Sequence, residues 1–145
     1  MRHFAFALLL LGAVLSLGAS ARYMATPEFM PYHAVVAGTQ WQQLAPGVQV
    51  VILGMLRILA GGFAACGLAL GALAFVAYRG QAWAAGACAA VGAAVWVPTV
   101  AVTRMLRSAQ PKAEPPTVAS ATILMVILVG AVLAGFAARR APSGA

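Results

Sequence analysis

Few side chains in this sequence can do chemistry, and they are concentrated before and within one apolar run. The 145 residues include only two acidic groups, Glu28 and Glu114, and two histidines, His3 and His33. Arg57 lies inside the run, where a charge costs several kcal/mol unless it snorkels to water, pairs or faces a wet interior. Arg57 is therefore the residue around which a binding site would form.

A small polar constellation can assemble around Arg57. Glu28, Tyr32 and His33 lie in the preceding loop, on the side of the membrane to which Arg57 is nearest. Pairing Glu28 with Arg57 would relieve the cost of the charge, and the group could hold an anionic lipid headgroup or a small acidic ligand. Alternatively Arg57 snorkels at the interface, because at ~1.5 Å per residue it stands ~31 Å from Tyr78, about one hydrocarbon thickness. We favour this anchoring interpretation, and we expect His33 to be solvated.

The chemistry that is missing excludes several classes of membrane protein. Proton-coupled transport places a carboxylate or histidine at membrane depth, and a haem between helices needs histidines within the spans. A hydrolase needs a nucleophile beside a general base. Cys66 and Cys88 fall singly within apolar runs, so no C-x-x-C pair supports a disulfide, a zinc site or a thiol relay. We expect no catalytic residues, no cofactor and no metal, and an enzyme acting on membrane lipids is the least favoured alternative.

The composition indicates one integral membrane domain. Hydrophobic residues make up 63 % of the chain and charged residues 8 %, whereas soluble domains carry about 25 % charged residues. A net charge of +7 would suggest nucleic acid in a soluble chain. Here the basic residues flank apolar runs, where they signal topology and contact lipid phosphates. The expected partners are membrane lipids and a membrane protein or a second copy, but not nucleic acid.

Four apolar runs predict an all-α integral membrane protein, a four-transmembrane-helix bundle. The runs span residues 4–21, 48–78, 83–103 and 118–138, each long enough to cross a bilayer. Residues 1–21 also resemble a secretory signal peptide with a small-x-small cleavage site, and we favour retention because paired helices need an even number. Trp41, Tyr78 and Trp83 suit the membrane interface, and Pro98 is expected to kink the third span.

The connections between the runs differ in character. The outer loop 22–47 is long for a structureless connection, so we expect a short amphipathic helix on the membrane surface. Its apolar stripe would comprise Ala34, Ala37, Trp41 and Leu44. Residues 104–116 form a basic, proline-rich loop, and the tail 141–145 is expected to be disordered. Basic residues divide evenly between the two sides, so only the signal-like N-terminus favours cytoplasmic termini.

Small residues mark helix faces that allow another helix to approach closely. The chain has 15 glycines, and the predicted packing positions are Gly54, Gly61, Gly67, Gly71, Gly130 and Ala134. This abundance favours a non-enzymatic accessory or structural subunit that associates with a larger membrane protein through Gly/Ala-rich faces. The alternative function is binding or transport of a lipid, a quinone or a small anion in a pocket between the first loop and Arg57.

The sequence L-R-I-L-A-G-G at residues 56–62, followed by G-L-A-L at residues 67–70, resembles small DoxX-like four-helix membrane proteins of bacteria. Many of these carry an arginine and paired glycines early in the second helix, after a proline-containing first loop. The likeness extends up to about Gly80. The loop motif F-M-P-Y-H at residues 29–33 is similar to that of uncharacterised bacterial proteins of this size. The resemblance implies four spans and an inner-membrane location, and little about activity.

Overall fold

The computed structural model describes residues 1–140, so the predicted disorder of 141–145 lies outside the described residues. In chain order the elements are α1 (Arg2–Ala25), α2 (Pro31–Ala37), a 3-10 turn (Trp41–Gln43), α3 (Pro46–Tyr78), α4 (Ala82–Ala109) and α5 (Thr117–Arg139). No β-strand occurs in residues 1–140. Helices α1, α3, α4 and α5 are each long and apolar enough to cross a membrane. The all-α architecture with four membrane-length helices is confirmed.

The four long helices form a square bundle. Helix α1 packs against α3 and α5, and α4 packs against the same two helices, whereas the diagonal pairs meet only sparsely. Residues 26–45 and 110–116 connect the helices at one end, which we call the loop end. The start of α1, residues 79–81 and the end of α5 lie at the opposite end, which we call the turn end.

Glycines bring the helices close together in the middle of the bundle. A Cβ added to Gly12 of α1 or to Gly92 of α4 would lie 2.5 Å from side-chain carbons of Ile127, which is fully buried. Ile127 of α5 therefore fits between two helices because neither carries a side chain there. On the α1–α3 side, a Cβ at Gly67 would lie 2.9 Å from the carbonyl oxygen of Ala13.

The predicted packing positions divide into two groups. Three are buried at helix crossings, namely Gly67, Gly130 and Ala134. Three have open space where a side chain would extend, namely Gly54, Gly61 and Gly71. Gly54 and Gly61 are exposed on the outer face of α3. The tightest crossings within the chain use Gly12 and Gly92 instead, which the sequence did not single out.

The first loop is more broken than a single amphipathic helix. Helix α2 ends at Ala37 because Gly38 adopts a left-handed conformation with φ of 66°, which glycine tolerates best. The predicted stripe therefore does not continue to Trp41, which begins the 3-10 turn. No residue of α2 is buried, and the loop packs into the bundle through Phe29 and Met30, 7 % and 5 % exposed.

Helix α4 extends beyond its predicted end. It continues through Pro98 and ends at Ala109, so residues 104–109 are helical rather than part of the proline-rich loop. The helix stops at Gln110 because the following Pro111 disfavours helical geometry in the residue before it. Pro98 has no N–H for the carbonyl of Ala94.

Candidate functional site

Arg57 joins α3 to the end of α1 at the loop end. Its guanidinium donates to the carbonyl oxygens of Tyr23 and Thr26, at 2.5 and 2.7 Å. The Tyr23 carbonyl lacks a helical donor because Pro27 has no N–H, and Thr26 caps the helix. A cation at this position also faces the negative end of the α1 dipole. Arg57 is half-buried and is satisfied by backbone.

Glu28 is placed away from this contact. It is exposed, and among residues 1–140 no ion pair joins it to Arg57, whose donors face the carbonyls of α1. The backbone carbonyl of Glu28 accepts a hydrogen bond from the Thr26 hydroxyl at 2.7 Å. The predicted constellation therefore separates: Tyr32 and His33 approach the bundle, whereas Glu28 stays on the loop surface.

Two tyrosines form the polar centre of the loop end. The hydroxyl oxygens of Tyr23 in α1 and Tyr32 in α2 lie 2.7 Å apart. Burial, and then the hydrogen bond to Tyr23, raise the pKa of Tyr32 above its usual range, so its phenol is neutral. Since one hydroxyl donates to the other, the accepting hydroxyl keeps a proton for a third group.

His33 lies beside this pair. Its ring centroid is 4.2 Å from that of Tyr32, with the rings edge-on, and its Nδ1 accepts the backbone N–H of Met30 at 3.2 Å. Burial lowers the pKa of His33 below its ordinary value, so the ring is neutral. With Nδ1 accepting, we assign the ring proton to Nε2, which makes Nε2 a donor.

Three clefts open between the long helices at the loop end. One lies between α4 and α5, has a volume of about 790 Å³ and is lined by Arg104 and Arg107, and the other two share lining residues. The α1–α5 cleft has a volume of about 600 Å³, with Phe63 and Trp96 among its lining residues. The α3–α4 cleft has a volume of about 520 Å³ and is lined mainly by apolar side chains of those two helices. Tyr23, Tyr32 and Thr99 line both clefts. These three residues form a partition between the clefts.

A buried hydrogen bond crosses the bundle beside the clefts. The indole Nε1 of Trp96 donates to Ser16 Oγ at 3.1 Å, and Ser16 Oγ donates to the Gly12 carbonyl at 2.8 Å. The Trp96 ring stacks on Phe63 with centroids 4.8 Å apart. Cys66 lies next to Ser16, with 3.9 Å between Sγ and Oγ. This cluster ties α1 to α4 across the diagonal.

The three aromatic residues predicted to lie at the membrane interface have different surroundings in the structure. The Tyr78 hydroxyl lies 3.3 Å from His3 Nδ1, and the guanidinium carbon of Arg2 is 4.6 Å from the Tyr78 ring centroid. Trp83 is 62 % exposed at the start of α4. Trp41 packs edge-on against Phe29 in the first loop, with centroids 5.2 Å apart.

Sequence reasoning missed Tyr23, Ser16 and Trp96. Ser16 and Trp96 carry polar atoms in the middle of apolar runs, where such groups need hydrogen-bond partners, and that signal could have paired them. Tyr23 had no such signal, because the end of an apolar run is an ordinary place for tyrosine.

No protein-family model, curated protein or solved structure matches this chain. Within residues 1–140, no group of three or more His, Cys, Asp or Glu side chains is placed to hold a metal ion. The α3–α4 cleft offers apolar space beside a few neutral hydrogen-bond donors, which is the usual construction of a binding pocket.

Proposed function

We propose that this protein is a non-enzymatic membrane protein that binds a lipid-like ligand in the clefts of its loop end. The observation that carries the proposal is the pair of clefts, about 600 and 520 Å³, that meet at the Tyr23–Tyr32 hydrogen bond. Ligand pockets are typically apolar cavities of about 300–1,000 Å³ with a few placed polar groups. Of the candidate ligands, a lipid or a quinone fits this lining better than a small anion.

Arg57 has an indirect part in this proposal. Its guanidinium donates to the carbonyls of Tyr23 and Thr26 and does not line either cleft. Arg57 therefore positions the end of α1, and with it the Tyr23 side of the partition. The polar contacts to a ligand fall to the Tyr23–Tyr32 pair and to His33.

Two neighbouring glycines provide a matched test. Gly62 lines the α3–α4 cleft and Gly61 does not, and a Cβ at either position meets nothing within 4 Å. We expect Gly62→Leu to fill the cleft and lower the ligand-bound fraction severalfold, whereas Gly61→Leu leaves it unchanged. Gly18→Leu is the corresponding change in the α1–α5 cleft.

Native mass spectrometry of protein gently extracted from its own membrane measures this fraction. A bound small mass that persists at the wild-type level in both Gly62→Leu and Gly18→Leu would contradict the proposal. Loss of the mass in Gly61→Leu as well would show that the substitutions act on folding rather than on the clefts.

A second candidate function is that of an accessory subunit of a larger membrane protein. The outer face of α3 presents Gly54 and Gly61 with open space around them, and α4 presents Gly86 in the same way. Small residues on a lipid-facing surface permit close approach of another helix. We expect Gly61→Leu and Gly71→Leu to abolish co-purification of a partner or of a second copy, with Gly62→Leu as the control. If every association survives both changes, this candidate fails.

The proposed location is the bacterial inner membrane with both termini in the cytoplasm. The even number of membrane-length helices supports termini on one side. The signal-like N-terminus supports the cytoplasmic side, and the resemblance to DoxX-like proteins supports the inner membrane. Reporter fusions active only in the cytoplasm, placed at each terminus and in the loop 26–45, test this orientation.

A further inference from the structure

The α1–α5 and α3–α4 clefts differ in the charge of their lining. At the α1–α5 cleft, Arg22 and Glu114 are both exposed lining residues, so that cleft carries one charge of each sign. The α3–α4 cleft has no charged residue in its lining. Its polar lining residues are Tyr23, Tyr32, His33, Thr99 and Thr103.

Some of the polar groups of the α3–α4 cleft already donate their protons within the protein, and others keep a proton that a ligand can accept. The hydroxyls of Thr99 and Thr103 already donate to helix carbonyls, at 2.7 and 3.0 Å. The Tyr23–Tyr32 pair retains one proton that neither oxygen accepts. His33 adds the Nε2–H that follows from its accepting Nδ1. The cleft therefore presents neutral donors beside apolar walls.

Two cations lie near the α3–α4 cleft without lining it, namely Arg57, and Arg22, which acts electrostatically on Tyr32 and lines the α1–α5 cleft. Arg57 follows directly after the lining residue Leu56, but its guanidinium donates to the Tyr23 and Thr26 carbonyls. Because no residue lining the cleft is charged, a phosphate or carboxylate there would be desolvated without a direct ion pair, which is costly. A carbonyl, ester or hydroxyl oxygen accepts from the same donors without that cost.

We propose that the α3–α4 cleft selects an uncharged, long-chain amphiphile whose head is a hydrogen-bond acceptor, held by the Tyr23–Tyr32 pair and His33. This inference rests on the proposed function, because it names the headgroup chemistry of the same site. It runs against the expectation from net charge, since a chain of +7 would be expected to favour anionic lipids.

The test compares two probes with the same acyl chain, 1-oleoylglycerol and 1-oleoyl lysophosphatidate. The full-length protein in an uncharged detergent is titrated with each, and the bound fraction is read by native mass spectrometry. We expect the uncharged probe to bind at least about tenfold more tightly, which corresponds to about 1.4 kcal/mol. Decylubiquinone, in a third titration, distinguishes a ring-carbonyl head from a glycerol head.

Substitutions then identify the cleft and the side chains that bind the uncharged probe. Gly62→Leu should remove the binding of the uncharged probe, whereas Gly61→Leu should not. Tyr23→Phe combined with Tyr32→Phe should weaken it about fivefold, because the pair then has no proton to donate and one hydrogen bond is lost. Tyr78→Phe is the matched control, because its hydroxyl lies at the turn end beside His3.

The outcomes separate the two proposals. Equal affinity for both oleoyl probes, or a preference for lysophosphatidate, overturns the headgroup inference and leaves the proposed function standing. Binding of an uncharged probe that is unaffected by Gly62→Leu overturns the assignment to the α3–α4 cleft. If no probe binds to the wild-type protein, the inference and the proposed lipid-like ligand both fail.

Discussion

The middle of the bundle and its loop end are built by opposite means. In the middle, Gly12 and Gly92 leave room for one side chain, Ile127, and Gly67 brings α3 close to the Ala13 carbonyl oxygen of α1. One turn from Gly67 and Gly92 toward the loop end, the stacked rings of Phe63 and Trp96 stand between helices. Small residues close a membrane bundle, and aromatic residues of large volume hold helices apart.

The difference shows how one apolar composition yields both a rigid and an open region. Where glycine meets a branched aliphatic side chain, no volume remains, and a cleft cannot form. Where aromatic rings span the interior, the helix pairs α1–α5 and α3–α4 leave unfilled space on their lipid-facing sides. At the loop end α3 is still held to α1, because the guanidinium of Arg57 donates hydrogen bonds to backbone carbonyls at the end of α1.

The largest expected loss of stability comes from placing a larger side chain at a glycine in the middle of the bundle. Gly92→Leu would force four extra carbons against the buried Ile127 side chain, and we expect a loss of at least about 3 kcal/mol in the free energy of unfolding. Unfolding in mixed detergent micelles, followed by far-UV circular dichroism, measures it. Gly62→Leu, in the open region, is the control and should unfold like the wild-type protein. Equal stability of both variants would remove the distinction between the two regions.

Loss of the Arg57 anchor should be the next largest effect. Arg57→Leu leaves the carbonyls of Tyr23 and Thr26 without their charged donor, and we expect a loss of about 2 kcal/mol. Arg57→Lys should recover only part of this, because an ammonium does not reproduce the two-pronged geometry of a guanidinium. The same unfolding assay applies. Full stability of Arg57→Leu would show that water replaces the guanidinium.

The Arg57→Leu variant also tests whether Arg57 contacts a ligand or positions the end of α1. A ligand contact and a positioning role both predict weaker binding, but only the positioning role also predicts faster proteolysis of the 26–45 loop. Limited proteolysis with and without ligand separates them.

The diagonal hydrogen bond should contribute less. Trp96→Phe keeps the ring stacked near Phe63 but removes the donor to Ser16, and we expect a loss of about 1 kcal/mol. Combining it with Ser16→Ala in a double-mutant cycle isolates the pair, because each residue also makes other contacts. A coupling energy near zero would mean that the indole and the hydroxyl are independent in the membrane.

The smallest expected effect is the pH dependence of the loop end. Burial lowers the pKa of His33 in the folded state, so the unfolded state binds the proton more readily. Stability from this group is therefore complete above the ordinary histidine pKa of about 6.5 and decreases as the pH falls below it. Thermal unfolding at pH 7.5 and pH 5.5 measures the change. The change should disappear in His33→Gln and persist in His3→Gln.

The sequence predicted the four helices of membrane-crossing length, because apolar length is a property of each run by itself. It also marked Arg57 as exceptional. The hydrogen-bond partners of Arg57 were not predictable in the same way, since they are the backbone carbonyls of Tyr23 and Thr26, which no side-chain pattern reveals.

Glycine spacing likewise did not predict which glycines contact a neighbouring helix. Gly54 and Gly61 share the residue type of Gly12 and Gly92, yet the first two face outward and the latter two contact Ile127. Spacing defines a face on each helix, but the rotation of that helix in the bundle decides what the face meets. That rotation depends on all neighbouring helices together.

Helix α3 has a further consequence, which concerns the bilayer itself. It has 33 residues, against 24 in α1 and 23 in α5, and Arg57 fixes it to the end of α1. Eleven residues precede Arg57 in α3, so the helix start stands about 16 Å beyond that end. Val50 and Val51, 71 % and 56 % exposed, lie on this projection. Helix α4 has 28 residues, so α3 is the longest of the four, and we expect bilayer thickness to act on the α3 side more strongly than on the α1 side.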